Sequence, residues 1–279
     1  MDATEFRRRS QAVWEAMAPG WDSRHAYVEE IARPVTDLML ERVVPERGQT
    51  ILDLAAGTGV AGFSAAGLVG REGHVIVSDF AAGMVDAAKR HAARLGLTNV
   101  ECRVLDAERL DLPDDAVDGV TCRWGYMLMA DPAAAFRETR RVLRPGGRLA
   151  MAVFTGPDEN PWGSLPASVL VERGHMPPPE AGAPGLFALA DRSRLSQLLA
   201  DAGFSEPRFE EVAFTWRFAD PDAFWTFLNE AAGAITIVLD RLDDDERLRV
   251  GLEIRRRVEA FDGPNGVELR GVSLVASAT

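Results

Sequence analysis

The segment ILDLAAGTGVAGFS (51–64) runs from an apolar stretch into Asp53, and the small residues Ala55, Ala56, Gly57 and Gly59 follow before a helical pattern begins. Small residues let the backbone come close to a ligand. The first N–H groups of a helix have no partners inside it and can face a ligand's polar or negative part. Asp79 stands 26 residues beyond Asp53, just past the next β-rich run, where a carboxylate can accept both hydroxyls of a ribose. This chemistry is the binding of a nucleoside-containing cofactor. Gly57-Thr58-Gly59-Val60-Ala61-Gly62 also fits the dinucleotide fingerprint G-x-G-x-x-G, with Asp79 22 residues beyond Gly57. Two cofactor classes therefore compete.

The elements that must hold these residues alternate. TILDL (50–54), HVIVS (74–78), NVECRVL (99–105), AVDGVTCRW (116–124) and GRLAMAVF (147–154) read as strands, and helical segments fall between them, as at 81–95 and 131–143. Short connections between alternating strands and helices predict a parallel sheet covered on both faces, and right-handed crossovers make it doubly wound. Ligands of such α/β sheets lie beyond the carboxyl ends of the strands, where strand order reverses. Residues 1–47 read as helical, and Pro19-Gly20 is expected to split them. Seven prolines and five glycines in 156–185 predict an irregular excursion. A helix is expected at 191–202, a strand at 207–218, helices near 221–232 and 243–261, and a last strand at 267–278. The last two strands should pair at the sheet edge and enclose a helical insertion.

The chain has 279 residues, 47% of them hydrophobic and 27% charged, an ordinary composition for a folded globular protein. A net charge of −12 repels phosphate backbones, so nucleic acid is not expected as a partner. No apolar run reaches the length of a membrane helix, and no signal peptide is expected. Cys102 and Cys122 have no metal-ligand spacing and read as small apolar groups in strands. A reducing cytoplasm is the expected location, and no metal is expected.

Four features weigh against a nicotinamide cofactor. Asp53 lies at the end of the first strand, where an amino-acid-bearing cofactor needs an acceptor for its ammonium. Asp106-Ala107-Glu108 follows the third strand, at a place suited to an adenine amine. Leu143-Arg144-Pro145-Gly146-Gly147 precedes the fifth strand, and the chain closes with a hairpin instead of another strand–helix unit. In order and spacing, LDLAAGTG (52–59), SDFAAGMVDAAKRHA (78–92), NVECRVLDAERLDLPDDAVDGVT (99–121) and FRETRRVLRPGGRLAMAVF (136–154) resemble the class I S-adenosylmethionine-dependent methyltransferases. Within that family the chain is similar to the branch of the ubiquinone/menaquinone-biosynthesis C-methyltransferases and related small-molecule enzymes.

The resemblance implies a Rossmann-like, doubly wound α/β domain with a seven-stranded sheet and a C-terminal antiparallel hairpin. Residues 1–47 would form a helical lid, and 48–279 the methyltransferase domain with insertions at 156–190 and 219–263. S-adenosylmethionine would be the cofactor and S-adenosylhomocysteine the product. Asp53 would act near the methionine ammonium, with the backbone of Ala55, Gly57 and Gly59 along the methionine portion. Asp79 would hold the ribose diol, Phe80 and Met84 would pack on adenine or ribose, and Asp106 and Ala107 would contact the adenine. Arg123 would lie near the sulfonium. Many relatives carry glycine where this chain has Ala55, whose φ is not expected to be positive.

The implied reaction is in-line displacement onto a carbon or oxygen of a small apolar or aromatic acceptor. Positioning supplies most of the rate, and an acidic acceptor also needs a base. Candidates are His25, Tyr126 and His175, with His74 and His91 less well placed. Trp14, Trp21, Trp124, Trp162 and Trp225, together with Phe224, are candidates for an aromatic acceptor cavity under a mobile lid. Two alternatives stand beside this reading: a nicotinamide-dependent oxidoreductase, and a non-catalytic S-adenosylmethionine-binding module. The C-terminal helices are candidates for a homodimer contact.

Overall fold

The computed structural model describes residues 3–180 and 182–279. Two helices, α1 (Ala3–Ser23) and α2 (His25–Val43), precede the alternating region. That region runs β1 (Thr50–Asp53), α3 (Val60–Val69), β2 (His74–Asp79), α4 (Ala82–Arg94), β3 (Val100–Val104), β4 (Val117–Arg123), α5 (Pro132–Val142) and β5 (Leu143–Phe154). The remainder holds α6 (Pro161–Glu172), α7 (Arg192–Asp201), β6 (Arg208–Phe218), α8 (Pro221–Ala231), α9 (Ala234–Asp240), α10 (Asp244–Val258), the two-residue β7 (Asp262–Gly263) and β8 (Gly266–Ala278). The sheet order is β3-β2-β1-β4-β5-β8-β6, with β7 paired to β8. β1 to β5 are parallel and β8 runs antiparallel to both β5 and β6. Strand order therefore reverses between β1 and β4, and a crevice opens above their carboxyl ends.

Local chemistry explains several boundaries. Asp131, Asp220 and Asp243 each accept a backbone N–H from the first turn of α5, α8 and α10, satisfying a donor the helix itself leaves unpaired. Pro132 and Pro221 occupy the first helical position, where a missing N–H costs nothing. Arg255, Arg256 and Arg257 close α10 opposite Asp244, Asp245 and Glu246 in its first turn, so the charge runs complement the helix dipole.

Three expectations change. Pro19 does not split the N-terminal region: α1 runs through it to Ser23, and the break falls at Arg24. The Arg24 N–H to Gly20 carbonyl bond of 3.1 Å and the Val28 N–H to Arg24 carbonyl bond of 2.9 Å nearly join the two helices. The excursion after residue 155 contains α6, begun by Pro161, where a missing N–H costs nothing, and running on through Pro166; Trp162, Val169 and Leu170 are buried. Of the segment 1–47, α2 is a layer of the domain. Val28, Ile31, Ala32, Val35, Met39 and Val43 are buried, and the helix packs on β4, β5, β6 and β8. α1 packs instead on α4 and α8.

The hairpin shapes the rest of the site. Phe154, the last residue of β5, pairs with Ser273, while β6 and β8 continue pairing to Phe218 and Val267. At about 3.4 Å per residue this leaves roughly 20 Å of hairpin standing beyond the carboxyl edge. No helix among the described residues is long and apolar enough to cross a membrane.

Candidate functional site at the carboxyl edge

The crevice is built from the end of β1. Asp53 is 1% exposed, and its carboxylate accepts from the Gly62 N–H at 2.7 Å and the Thr121 hydroxyl at 2.7 Å. Thr121 is its register partner on β4. Gly62 permits this approach: a Cβ there would lie 2.6 Å from Val77 and 3.1 Å from the Asp53 carboxylate. Asp79, at the end of β2, is 8% exposed and accepts from the Gly57 N–H and the Ala81 N–H, each at 3.0 Å. Burial pushes both carboxyl groups up to about 6, because their donors are neutral and do not fully replace water. Neighbouring Asp79 adds to the rise at Asp53, and Glu15 to that at Asp79.

Gly57 and Gly59 have φ values of 56° and 94°, and Ala55 has φ 49°. This corrects the expectation for Ala55: the turn forces its backbone into the left-handed region that the sequence argues against. Trp124, directly after β4, is also left-handed at φ 63°. Gly125 packs between the two sides, since a Cβ there would meet the Ala55 methyl at 2.6 Å and the Cys122 sulfur at 2.7 Å. Strained backbone thus flanks the crevice from both β1 and β4, as commonly found at functional sites.

The β2–β3 side of the crevice is roofed by α1. A cavity of about 310 Å³ is lined by Phe80, Val104 and Asp106 below and by Arg7, Arg8 and Gln11 above. Gln11 donates to the Phe80 carbonyl at 2.8 Å. The Glu15 carboxylate accepts from the Ala82 N–H at 2.5 Å and the Gly83 N–H at 2.8 Å, at the N-terminus of α4. Arg7 faces Glu108 at 3.2 Å. Met84 is buried with Met17, Ala18 and Ala81, and Trp14, Trp21 and Phe80 pack against them. Asp106 accepts from the Glu108 N–H at 2.9 Å, and Ala107 is half-buried beside it.

The proposed bases have other engagements. His25 places Nδ1 2.8 Å from the Thr58 hydroxyl, and its ring stacks on His91 at 3.6 Å. Burial, then the charges of His91 and Arg94, push its pKa down to about 4. It is a neutral brace between α2 and the glycine-rich turn, and a weak base. Tyr126 has no exposed surface; its ring stacks on Phe136 at 4.3 Å and its hydroxyl lies 2.6 Å from that of Thr139. Burial raises that phenol well above its usual range, so it is a core residue. His175 pairs with Glu246, His91 with Asp22 and His74 with Glu101. Arg123 donates to Thr36 at 2.7 Å and lies 5.0 Å from the Trp124 ring centre. Burial lowers its pKa to about 10, opposed by Asp53 and Glu29, and it stays a cation.

The tryptophans divide into three groups. Trp14 and Trp21 meet edge to face at 5.9 Å under α1. Trp124 and Trp162 join an aromatic cluster over the carboxyl edge, in which Trp124 stacks on Phe154 at 4.9 Å and Phe154 meets Trp162 at 5.0 Å. Phe224 edges this cluster through Phe218 at 5.0 Å. Trp225 is elsewhere, packed between α8 and α10 with Arg255 5.4 Å from its ring. Sequence reasoning missed the centre of the cluster: Phe214, Trp216 and Phe218, the buried face of the overhanging β6. Their period-two spacing in AFTWRF was the available signal. Thr58, Glu15 and Gln11 carried none, because their partners lie far off in the chain.

Comparison with known proteins agrees with this geometry. A family model described as a methyltransferase domain matches residues 45–169. A demethylmenaquinone methyltransferase of Clavibacter sepedonicus is 32% identical over 195 residues, covering 70% of this chain and 74% of that protein. A ubiquinone/menaquinone biosynthesis C-methyltransferase of Cronobacter sakazakii is 31% identical over 173 residues, covering 58% and 69%. In fold, the chain is similar to a putative methyltransferase of Bacillus halodurans, with TM-score 0.59, 19% identity and coverage of 87% and 97%.

Proposed function

Since the chain belongs to the class I S-adenosylmethionine-dependent methyltransferases, in the branch of the ubiquinone/menaquinone-biosynthesis C-methyltransferases, we propose that it methylates a small, apolar, ring-bearing acceptor held in the aromatic cluster over the carboxyl edge. The cofactor, S-adenosylmethionine, supplies a methyl group already activated by a sulfonium. The crevice fits it. Two buried carboxylates, held only by neutral donors, have capacity left for an ammonium and a diol. The cavity beside Phe80 and Asp106 suits a flat base.

The carrying observation is the contiguity of the two regions. Trp124 closes the cofactor crevice on one side, and on the other its ring lies 5.7 Å from Phe214 and 6.4 Å from Trp216. A planar acceptor replacing part of this cluster lies against the crevice in a water-poor setting. Alignment of the reacting atoms at about 3–3.5 Å is worth several kcal/mol in such a site. Arg123, at the junction, stabilises negative charge developing on an acceptor oxygen. A carbon acceptor agrees with the C-methyltransferase names of the relatives. α1 acts as the lid, released to admit the cofactor and reseated through Gln11 and Glu15.

Transfer of labelled methyl groups to a panel of quinols, phenols and aliphatic amines tests the reading. Products are expected with the ring compounds, dependent on S-adenosylmethionine. Turnover of amines alone, with no ring compound accepted, overturns it. Arg123→Gln is expected to lower kcat on a hydroxylated ring by about 10²–10³-fold, the usual effect of removing one charge-stabilising donor; unchanged kcat refutes the assignment of Arg123.

A further inference from the structure

The aromatic cluster contains three indoles, and two have their N–H groups paired. Trp124 donates to the Ser273 hydroxyl at 2.8 Å, and Trp162 faces the Asn160 side-chain oxygen at 3.4 Å. The third, Trp216, is 2% exposed, and its Nε1 has no hydrogen-bond partner. A buried unpaired N–H forfeits the hydrogen bond it would make to water, and natural cores rarely keep one without cause. A phenylalanine fills a β-strand core position without that donor, so packing alone does not explain an indole here.

The position of Trp216 supplies a cause. It pairs with Leu269, four residues beyond the level of Ser273 where β5 ends, so it stands on the overhang roughly 14 Å above the sheet edge. It is also the hub of the cluster, with ring centres of Tyr27, Trp124, Trp162, Phe214 and Phe227 at 6.0, 6.4, 4.9, 5.9 and 5.3 Å. The hydroxyl of Tyr27, whose ring packs on Trp216, is already engaged: it donates to the Arg217 carbonyl at 2.9 Å and accepts from the Arg217 N–H at 3.2 Å. A buried donor among apolar rings selects a ligand that carries an acceptor atom at that point.

We infer that Trp216 is the specificity-determining residue of the acceptor site, its indole N–H donating to an oxygen on the acceptor's ring system. The inference rests on the proposed function, because it assumes that the cluster receives the acceptor, and it adds the group that orients it. A site built around a polar contact discriminates strongly against an analogue that lacks the matching atom, because the protein group is again left unpaired. Oxygen-bearing rings are thereby accepted in one orientation, and plain hydrocarbons of the same shape are disfavoured.

The test uses the full chain saturated with S-adenosylhomocysteine and two probes of similar shape, 2-naphthol and 2-methylnaphthalene. Calorimetric titration gives the affinity ratio of the probes for the wild type and for Trp216→Phe. The variant is expected to lose about tenfold in preference for the naphthol while binding S-adenosylhomocysteine as before. A ratio unchanged within about twofold overturns the assignment of Trp216 and leaves the methyltransferase reading intact. Wild-type protein that takes S-adenosylhomocysteine but neither probe overturns the acceptor placement and this inference with it. Failure to bind S-adenosylhomocysteine overturns the cofactor reading instead. Should Trp216→Phe not fold, ¹⁵N-labelled wild type decides the point. The Trp216 indole proton is expected to move downfield with 2-naphthol and not with 2-methylnaphthalene, and an unmoved signal refutes the inference.

Discussion

Asp53 and Asp79 end neighbouring strands, and burial leaves both carboxyl groups near 6. The cofactor's ammonium and diol favour the ionised forms, so binding must draw protons off between about pH 5 and 7. Affinity for S-adenosylhomocysteine is therefore expected to rise by about tenfold from pH 5 to 7.5, with proton release in calorimetry run in two buffers; a flat profile contradicts the assignment. Ala55 poses a different question. At φ 49° an alanine costs about 1–2 kcal/mol relative to a right-handed conformation, and glycine largely escapes this penalty. Ala55→Gly is expected to raise stability by up to about 1 kcal/mol in urea unfolding, and a destabilised variant implies that the methyl contact with Gly125 outweighs the strain.

Among the elements, α1 is held by polar contacts at Phe80, Ala82 and Gly83, by Asp22 to Arg90 and His91 of α4, and by the layer of Met17 and Ala18 on Ala81 and Met84. At its far end Gly20 crosses α8, where a Cβ would lie 1.9 Å from the Glu230 carbonyl. Gly20→Ala is accordingly expected to displace α1: hydrogen exchange over residues 3–23 should speed up by tenfold or more, with β1, β2 and β4 unaffected. Equal protection of α1 in both proteins argues against its acting as a separable lid. The hairpin of β6 and β8 contrasts with this, since long pairing fixes its register and its buried Phe214, Trp216 and Phe218 together.

For the whole molecule, the same buried groups set how stability follows pH. The raised carboxyls of Asp53 and Asp79 stabilise the fold fully below about pH 4, and that contribution is lost as pH rises through about 6. His25, lowered to about 4 amid Asp22, His91, Arg94 and Arg123, acts oppositely: its contribution is present above pH 6.5 and lost as pH falls toward 4. The stability of the wild type minus that of Asp53→Asn should therefore fall between pH 4 and 6, by on the order of 3 kcal/mol. Urea unfolding at a series of pH values checks the sign, and an increase over that window refutes it. The cofactor reverses this loss, so its thermal stabilisation should be larger at pH 7.5 than at pH 5.

The strand endings at Asp53 and Asp79, the loop at Asp106 after β3, the alternation from residue 50 to 154 and the closing hairpin were all legible in the amino-acid order. Each rests on short-range rules: side-chain period, turn residues, and the need to bury both faces of a parallel strand. Those rules misplace the break at Pro19 and overlook α6, because helix ends and prolines are settled by what the helix packs against. They also give no warning of the left-handed Ala55, which is imposed by the turn between β1 and α3. The roles of Tyr126, His25, Trp216 and Trp225 were decided only in three dimensions. A phenol inside the core, an imidazole stacked on another, an indole without a partner and an indole packed between α8 and α10 carry no mark of those roles along the chain, and only the residues folded against them set their chemistry.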